Sequence, residues 1–274
     1  KKILLATTAL VATTGFAAAE MTWSGSANVG LKYSDNTTTT LHDEIDLGMA
    51  ATGETDGGIA WKVEMGIDSE TIDATDTQAV DGGSVSLTGD FGTIRVGNVS
   101  SAGTSIGVAD IGFDGIGIDD VAELGRNAGG GHNVQWNYAM DDIALMVSTD
   151  TSDDDMAVSA KWSSGSLAIG ISQAAISGGA SATAASIGTS VGGFAVTMMA
   201  ANHQTAGSDS VGLSASMPID GLGTVTFVTG SNDTDAKSAW GIGFSKSLGG
   251  GATLAGGYGS DNGNDVADLG IGFS

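Results

Sequence analysis

The sequence predicts an all-β fold, a closed antiparallel barrel of sixteen strands that spans a membrane, and three observations predict it. Apolar and polar residues alternate with a period of two along much of the chain, as in strands with one apolar and one polar face. Short glycine-rich connections alternate with longer acidic ones. Beyond Ala19 the chain has no run of about 18 apolar residues, which a membrane-spanning helix needs. An even strand number, short turns at one end and long loops at the other are typical of membrane barrels.

The composition excludes several classes of protein. The 274 residues include 32 acidic against 9 basic ones, a formal net charge of −23, whereas a nucleic-acid-binding face needs basic residues. The lack of cysteine excludes a disulfide scaffold, thiolate catalysis and cysteine metal sites. The mean hydropathy of +0.14 is too high for a disordered acidic chain. A positive mean hydropathy is unusual for a soluble protein in which glycine accounts for 45 positions. The apolar residues are therefore expected in an arrangement other than an ordinary buried core.

Residues 1–19 have the pattern of a secretory signal peptide. Two lysines open the chain, residues 3–16 are apolar or small without any charge, and Ala17–Ala19 form a cleavage site. The apolar segment is short for a membrane anchor, which needs about 20 residues. We therefore expect export, cleavage after Ala19 and a barrel domain over residues 20–274.

Seven segments show the strand pattern most clearly. In the first of them, Trp23, Val29 and Tyr33 share one parity, while Ser24 and Asn28 share the other. The apolar parity is expected to face lipid, and the polar parity a water-filled lumen. The seven segments are 23–33, 45–49, 61–67, 134–140, 156–162, 240–244 and 267–273.

The connections divide into seven short turns and eight longer loops, which separate sixteen strands and place both chain ends on the turn side. Glycine favours the short turns because it adopts positive φ without strain. The single proline, Pro218, is expected in a turn, where it breaks no strand ladder. The expected turns are 53–58, 89–92, 140–142, 163–165, 191–193, 218–223 and 248–251. The expected loops are 34–40, 70–81, 100–131, 150–155, 177–182, 204–209, 231–236 and 260–265.

Four stretches carry a family resemblance: Met21–Tyr33, the hairpin 84–97, and the tail segments 248–258 and 265–273. With these stretches the chain resembles the trimeric general porins of the alphaproteobacterial, Rhodobacter-like type. The resemblance implies a homotrimer in the outer membrane of a Gram-negative bacterium and passive diffusion of small hydrophilic solutes. It also implies contacts with outer-membrane lipid, lipopolysaccharide and the barrel assembly machinery. It implies no enzymatic activity and no required cofactor.

The longest connection, 100–131, is the candidate constriction. A structureless loop of this length needs a functional reason, and in the resembled family the third loop folds into the lumen and narrows it. The alternative is a solvated acidic loop outside the barrel. The loop residues assigned to the constriction are Asp110, Asp114, Asp119, Asp120, Glu123 and Arg126.

Strand parity places a second set of charged residues on the inner wall. Together with the loop acids, they would create a transverse field across the constriction, and rings of carboxylates favour cations. We therefore expect a weakly cation-selective pore. These wall residues are Lys32, Lys62, Arg95, Glu44, Asp46 and Glu64.

Two acidic clusters in the outer loops are candidate sites for Ca²⁺ or Mg²⁺, because these ions prefer oxygen ligands. Neither cluster has the glycine and glutamate positions of an EF-hand. The alternatives are ordinary solvated loops, or ions that bridge the loops to anionic lipid. One cluster is Asp150, Asp153, Asp154 and Asp155, and the other is Asp68, Glu70, Asp73 and Asp76.

Other functions have weaker support. The segment Gly188–Gly192 matches G-x-S-x-G, but no acid lies between Ser190 and the last histidine, His203, so the match predicts no hydrolase. A solute-specific outer-membrane channel remains an alternative. A secreted Gly/Asp-rich adhesin or calcium-binding β-solenoid is another, although the tandem repeat it requires is not found.

Overall fold

The computed structural model of the chain describes residues 20–70, 79–126, 131–176, 179–204, 208–233 and 238–274. Its strands form one closed barrel, in which each strand pairs antiparallel with its neighbours in sequence and the first pairs with the last. The predicted fold of sixteen strands is therefore confirmed. The predicted signal peptide lies outside the described residues. Among the described residues, no helix is long and apolar enough to cross a membrane.

The strands are numbered β1 to β16 in chain order. They are Glu20–Ser34 (β1), Thr37–Glu54 (β2), Ala60–Glu70 (β3), Ala79–Gly89 (β4), Gly92–Val99 (β5), His132–Met140 (β6), Ile143–Asp150 (β7), Asp155–Ser164 (β8), Leu167–Ile176 (β9), Ala180–Val191 (β10), Phe194–His203 (β11), Ser208–Ile219 (β12), Gly223–Asn232 (β13), Ser238–Gly249 (β14), Ala252–Asp261 (β15) and Asn264–Phe273 (β16). The third loop, between β5 and β6, holds a 3₁₀ helix over Ala102–Ser105, helix α1 over Ile118–Glu123 and a second 3₁₀ helix over Leu124–Arg126.

Two of the eight expected loops are tight turns instead. Residues 35–36 join β1 to β2, and residues 262–263 join β15 to β16, where loops over 34–40 and 260–265 were expected. The polar composition of these segments suggested loops, but Thr37–Thr40 are β-branched and extend β2. The connections next to the contact of β1 with β16 are therefore short, and the strands there are extended instead.

Pro218 corrects a second expectation. It was predicted within the turn 218–223, but it lies in β12 opposite Thr224 of β13. The neighbouring strand β11 pairs with β12 only as far as Ser216, so the missing N–H of Pro218 leaves no gap in a ladder.

The outer surface of the barrel is apolar, as strand parity predicted. Trp23 is 72% exposed, and Leu41 and Ile171 are each 54% exposed, while the alternate residues of the same strands face inward. In a water-soluble protein such side chains would be buried, whereas in a membrane barrel they face lipid. This arrangement accounts for the positive mean hydropathy.

The buried apolar residues lie between the third loop and the barrel wall. Three loop isoleucines, Ile106, Ile111 and Ile118, are at most 5% exposed. Ile106 packs with Met199 of β11, and Ile118 packs with Val228 of β13. The core of the molecule therefore holds the loop against the inner wall, and the remainder of the lumen is polar.

Glycines on the inner wall allow this close contact. A Cβ atom at Gly230 would lie 2.5 Å from the Cβ of Ala122 in α1, and one at Gly270 would lie 2.5 Å from the ring of Phe113. Separations this short do not occur between packed carbon atoms, so any side chain there would displace the loop. Part of the high glycine content is thereby explained as a docking surface for the third loop.

Candidate functional site: the channel lumen

The third loop lies inside the barrel along one side of its wall. Its first 3₁₀ helix contacts β7 to β10, its second contacts β10 to β12, and α1 contacts β11 to β15. The expected insertion of the loop into the lumen is therefore confirmed. The inner faces of β2 to β5 lie across the lumen from these helices, so the channel runs between an acidic loop and a charged wall.

The wall supplies hydrogen-bond partners for the loop backbone, which has few partners of its own. The hydroxyl of Ser148 accepts from the N–H of Ala102 at 2.7 Å, and the hydroxyl of Ser210 accepts from Gly125 at 3.0 Å. A buried backbone group without a partner is costly, so these small side chains fix the path of the loop. Further bonds of this kind come from Gln135, Ser172, Ser214 and Asn232.

Asp268 is the strongest of these anchors. It faces inward from β16, is 6% exposed, and accepts N–H groups from Phe113 at 2.8 Å, Asp114 at 3.2 Å and Gly257 at 2.7 Å. Hydrogen bonds to a carboxylate are stronger than those between neutral groups. Asp268 is not among the residues predicted from the sequence, although its inward parity among the glycines of β16 is a signal that could have found it.

The tip of the loop also binds β1 and β2. Asp114 forms an ion pair with Lys32, and its Oδ2 lies 3.1 Å from Nε2 of His42. The His42 ring packs edge-on against Phe113, with 5.6 Å between ring centroids. The predicted constriction residues Asp114 and Lys32 are thus in direct contact. The sequence pattern predicts instead that they face each other across the constriction.

Glu123 and Arg126 lie inside the loop rather than along the lumen. Oε1 of Glu123 accepts from the N–H of Val108 at 2.8 Å, and Arg126 pairs with Glu123 while donating to the carbonyls of Thr104 and Ile106. The pair therefore holds the two ends of the loop together. Any effect on permeation would act through the shape of the loop.

The wall residues face the lumen as strand parity predicted. Glu64 pairs with both Lys62 and Arg95, and Ser84 donates to the same carboxylate at 3.1 Å. Each of these basic side chains therefore has an acid beside it. The positive charges that would supply one side of the expected transverse field are therefore largely neutralised by the neighbouring carboxylate.

Two further wall acids face the lumen on β2. Glu44 accepts from the Asn28 amide at 2.9 Å, and Asp46 accepts from the Ser26 hydroxyl at 3.0 Å. Neither carboxylate forms an ion pair with any residue the structure describes. Both keep their negative charge available to ions in the lumen.

Three loop acids lie close together in space, two in the first turn of α1 and one, Asp110, earlier in the loop. The carboxyls of Asp110 and Asp119 hydrogen-bond to each other, and Asp120 follows in the first turn of α1. Burial, together with the charges of Asp110 and Asp120, raises the pKa of Asp119 to about 6. Burial also raises the pKa of Asp110. The pair therefore shares a proton in mildly acidic solution.

The metal candidates from the sequence are not gathered into a ligand set by the described residues. Oδ1 of Asp150 accepts from Asn133 at 2.9 Å and from Ser152, whereas Asp153, Asp154 and Asp155 form no group with it that could hold an ion. Residues Asp73 and Asp76 lie outside the described ranges. Among the residues that the structure describes, the groups with metal-like geometry are His42, Glu44 and Asp114, and Glu44, Asp46 and Asp68, all half-buried in the lumen. Calcium binding at the outer loops stays a prediction.

The closed barrel, its apolar exterior and its polar lumen define a channel protein of the outer-membrane type. The chain matches the family model of the Gram-negative porins over residues 6–266. It therefore belongs to this family, whose members are channels and not enzymes, and it is an outer-membrane porin.

Solved structures agree on the fold. Two engineered variants of the Rhodopseudomonas blastica porin superpose with TM-scores of 0.81 and 0.80, at 18% and 19% identity, covering 92% of this chain and 99% of theirs. A triple mutant of the same porin superposes with a TM-score of 0.80 at 18% identity. No curated protein matches the chain.

Replacing Asp268 with alanine should release the tip of the loop, because the two backbone N–H groups of Phe113 and Asp114 lose a charged acceptor at about 1.5–3 kcal/mol each. We expect a folded barrel with larger and noisier single-channel conductance in planar bilayers. The control is D220A, which removes an acid from the exposed turn between β12 and β13. A conductance of D268A equal to that of the wild type would contradict the anchoring role.

Proposed function

We propose that this porin is weakly cation-selective while small hydrophilic solutes diffuse through it passively. The observation that supports the proposal is the distribution of charge pairs. Within the described ranges, the basic residues of the loop and the facing wall each contact a carboxylate, namely Lys32, Lys62, Arg95 and Arg126. In the same ranges, five lumen acids form no ion pair, namely Glu44, Asp46, Asp110, Asp119 and Asp120. Arg126 acts on Asp119 and Asp120 only at longer range.

The unpaired acids lie on both sides of the channel, on β2 and on the third loop. Carboxylates facing each other across a narrow aqueous path attract cations and repel anions. Because the lumen is wet, each charge is screened, and the preference stays modest. No chemistry is involved, since the lumen only replaces part of the water around a passing solute.

The double variant E44Q/D46N tests the wall side of this proposal. We expect the cation-to-anion permeability ratio, measured as a reversal potential in a KCl gradient, to fall about twofold. The matched control is E54Q, an exposed acid at the turn end of the same strand. An unchanged reversal potential in E44Q/D46N would overturn the assignment of these residues to ion selection.

The acid pair on the loop adds a pH dependence. Because the pKa of Asp119 is raised to about 6, the pair gains a negative charge as the pH rises through that value. The proton favours the folded loop, so its stabilising contribution is full below the ordinary pKa of 3.8 and is lost as the pH rises through about 6.

We therefore expect the cation preference of the wild type to increase between about pH 5 and pH 7, since the loop charge increases in that window. The variant D119N should lack the increase, whereas D56N, on the exposed turn between β2 and β3, should retain it. Reversal potentials across this range provide the measurement. A wild-type preference that does not vary with pH would rule out the shared proton.

We further infer a homotrimer whose subunits meet at the outer face of β1 and β2. Porins of this family are typically trimeric. Asp43 shares the lipid-facing parity of β2 with Leu41 and Ile45, and its Oδ1 is buried without a hydrogen-bond partner among the described residues. A carboxylate facing acyl chains is costly, so contact with another protein surface is favoured. Outer-membrane lipid, lipopolysaccharide and the barrel assembly machinery are the further proposed partners.

The variant D43R should disrupt this contact, since a longer side chain would enter the subunit interface. We expect a monomer by light scattering in detergent, while the wild type and T183R, a matched change on the outer face of β10, remain trimers. A trimeric D43R would place the interface elsewhere.

A further inference from the structure

Lys161 differs from the other inward-facing basic residues. It lies on the inner face of β8 near the turn end of that strand, opposite Ala144 of β7 and Gly170 of β9. Among the residues the structure describes, it forms no ion pair, whereas the basic residues near the constriction all do. Its positive charge is therefore uncompensated in a lumen that is otherwise acidic.

Lys161 lines a cavity of about 540 Å³ between the third loop and the inner wall. This cavity, which we name the Lys161 cavity, is of the size that holds small ligands. Its other polar lining residues include Thr93, Ser105, Asn137, Ser159 and Asp90.

Ser105 supplies an independent observation. Ser105 lines the loop side of the Lys161 cavity, and its buried hydroxyl has no hydrogen-bond partner in the part of the chain that the structure describes. Buried hydroxyls normally have a partner. The Asn137 amide donates one N–H to Gln135 at 2.8 Å, which leaves its second N–H for another acceptor. Three residues that carry an ammonium, an unpartnered hydroxyl and a free amide N–H thus line one cavity.

We propose that the Lys161 cavity is a binding subsite for a small monovalent oxyanion, either a carboxylate or a monobasic phosphate. Lys161 provides the charge, and Ser105 and Asn137 provide neutral donors. Asp90 at the rim disfavours a second negative charge on the ligand, because like charges repel at this range. The subsite lies at the turn-end mouth, beyond the constriction, so it is independent of the cation selectivity proposed above.

The test is the single-channel current of the full-length protein in planar bilayers. Chloride is replaced at constant ionic strength by acetate in one arm and by phosphate in the other, in each chamber in turn. We expect the current to fall saturably with the concentration of the anion when the anion is added to one of the two chambers. In K161Q the half-saturating concentration should rise about fivefold, because a charge-assisted hydrogen bond is lost.

Two variants separate the subsite from general electrostatics. K161R keeps the charge and should retain the saturable fall. K246Q removes a lysine at the same end of the barrel that donates to the carbonyl of Gly221 and does not line the cavity, so it should behave as the wild type.

Saturation by acetate supports a carboxylate ligand, and saturation by phosphate alone supports a phosphate ligand. Equal effects in K161Q and the wild type, or an equal loss in K246Q, would overturn the subsite. So would a linear response of the wild type to both anions. Ordinary conductance steps in KCl would then still support the diffusion channel, so the failure of the subsite is distinguishable from failure of the channel.

Discussion

The channel depends on one constraint, which is that the third loop carries backbone N–H and C=O groups into the barrel without a sheet of its own to pair them. Its helices are short, and water alone does not hold a loop in one path. The inner wall meets the need with hydroxyl, amide and carboxylate side chains placed on separate strands, of which Ser148, Ser210 and Asp268 are examples. Because each partner belongs to a different strand, the loop adopts its path only inside the finished barrel.

The same constraint explains the composition of the wall. Glycine and alanine let the loop lie directly on the sheet, while serine offers a hydroxyl at little cost in volume. Few charged residues of the described chain face inward on this half of the wall, among them Asp268, which binds the loop, and Lys161 near the turn end. Charged wall residues gather on the opposite half, where Glu44, Asp46 and Glu64 face the channel. The asymmetry of the lumen thus follows from where the loop lies.

Local periodicity allowed the strands, their inward faces and most of the turns to be predicted from the sequence. Period-two alternation fixes which way a side chain points, so Lys32, Lys62 and Arg95 were placed on the correct face. It carries no information on which distant groups meet. Asp268 and Phe113 are 155 residues apart, and no local pattern links them. The contact of Glu123 with Arg126 could not be predicted for the same reason, because strand alternation does not predict the direction of a side chain in a loop.

The anchors at the loop tip lie on either side of the seam where the chain closes on itself. Asp268 belongs to β16, the last strand, and Lys32 belongs to β1, the first strand. The two residues lie directly opposite each other in the ladder. The loop tip therefore binds both strands of the closing pair. It cannot bind both before β1 and β16 have paired, and once bound it opposes their separation. The narrowing of the channel and the completion of the barrel are, in this molecule, one assembly event.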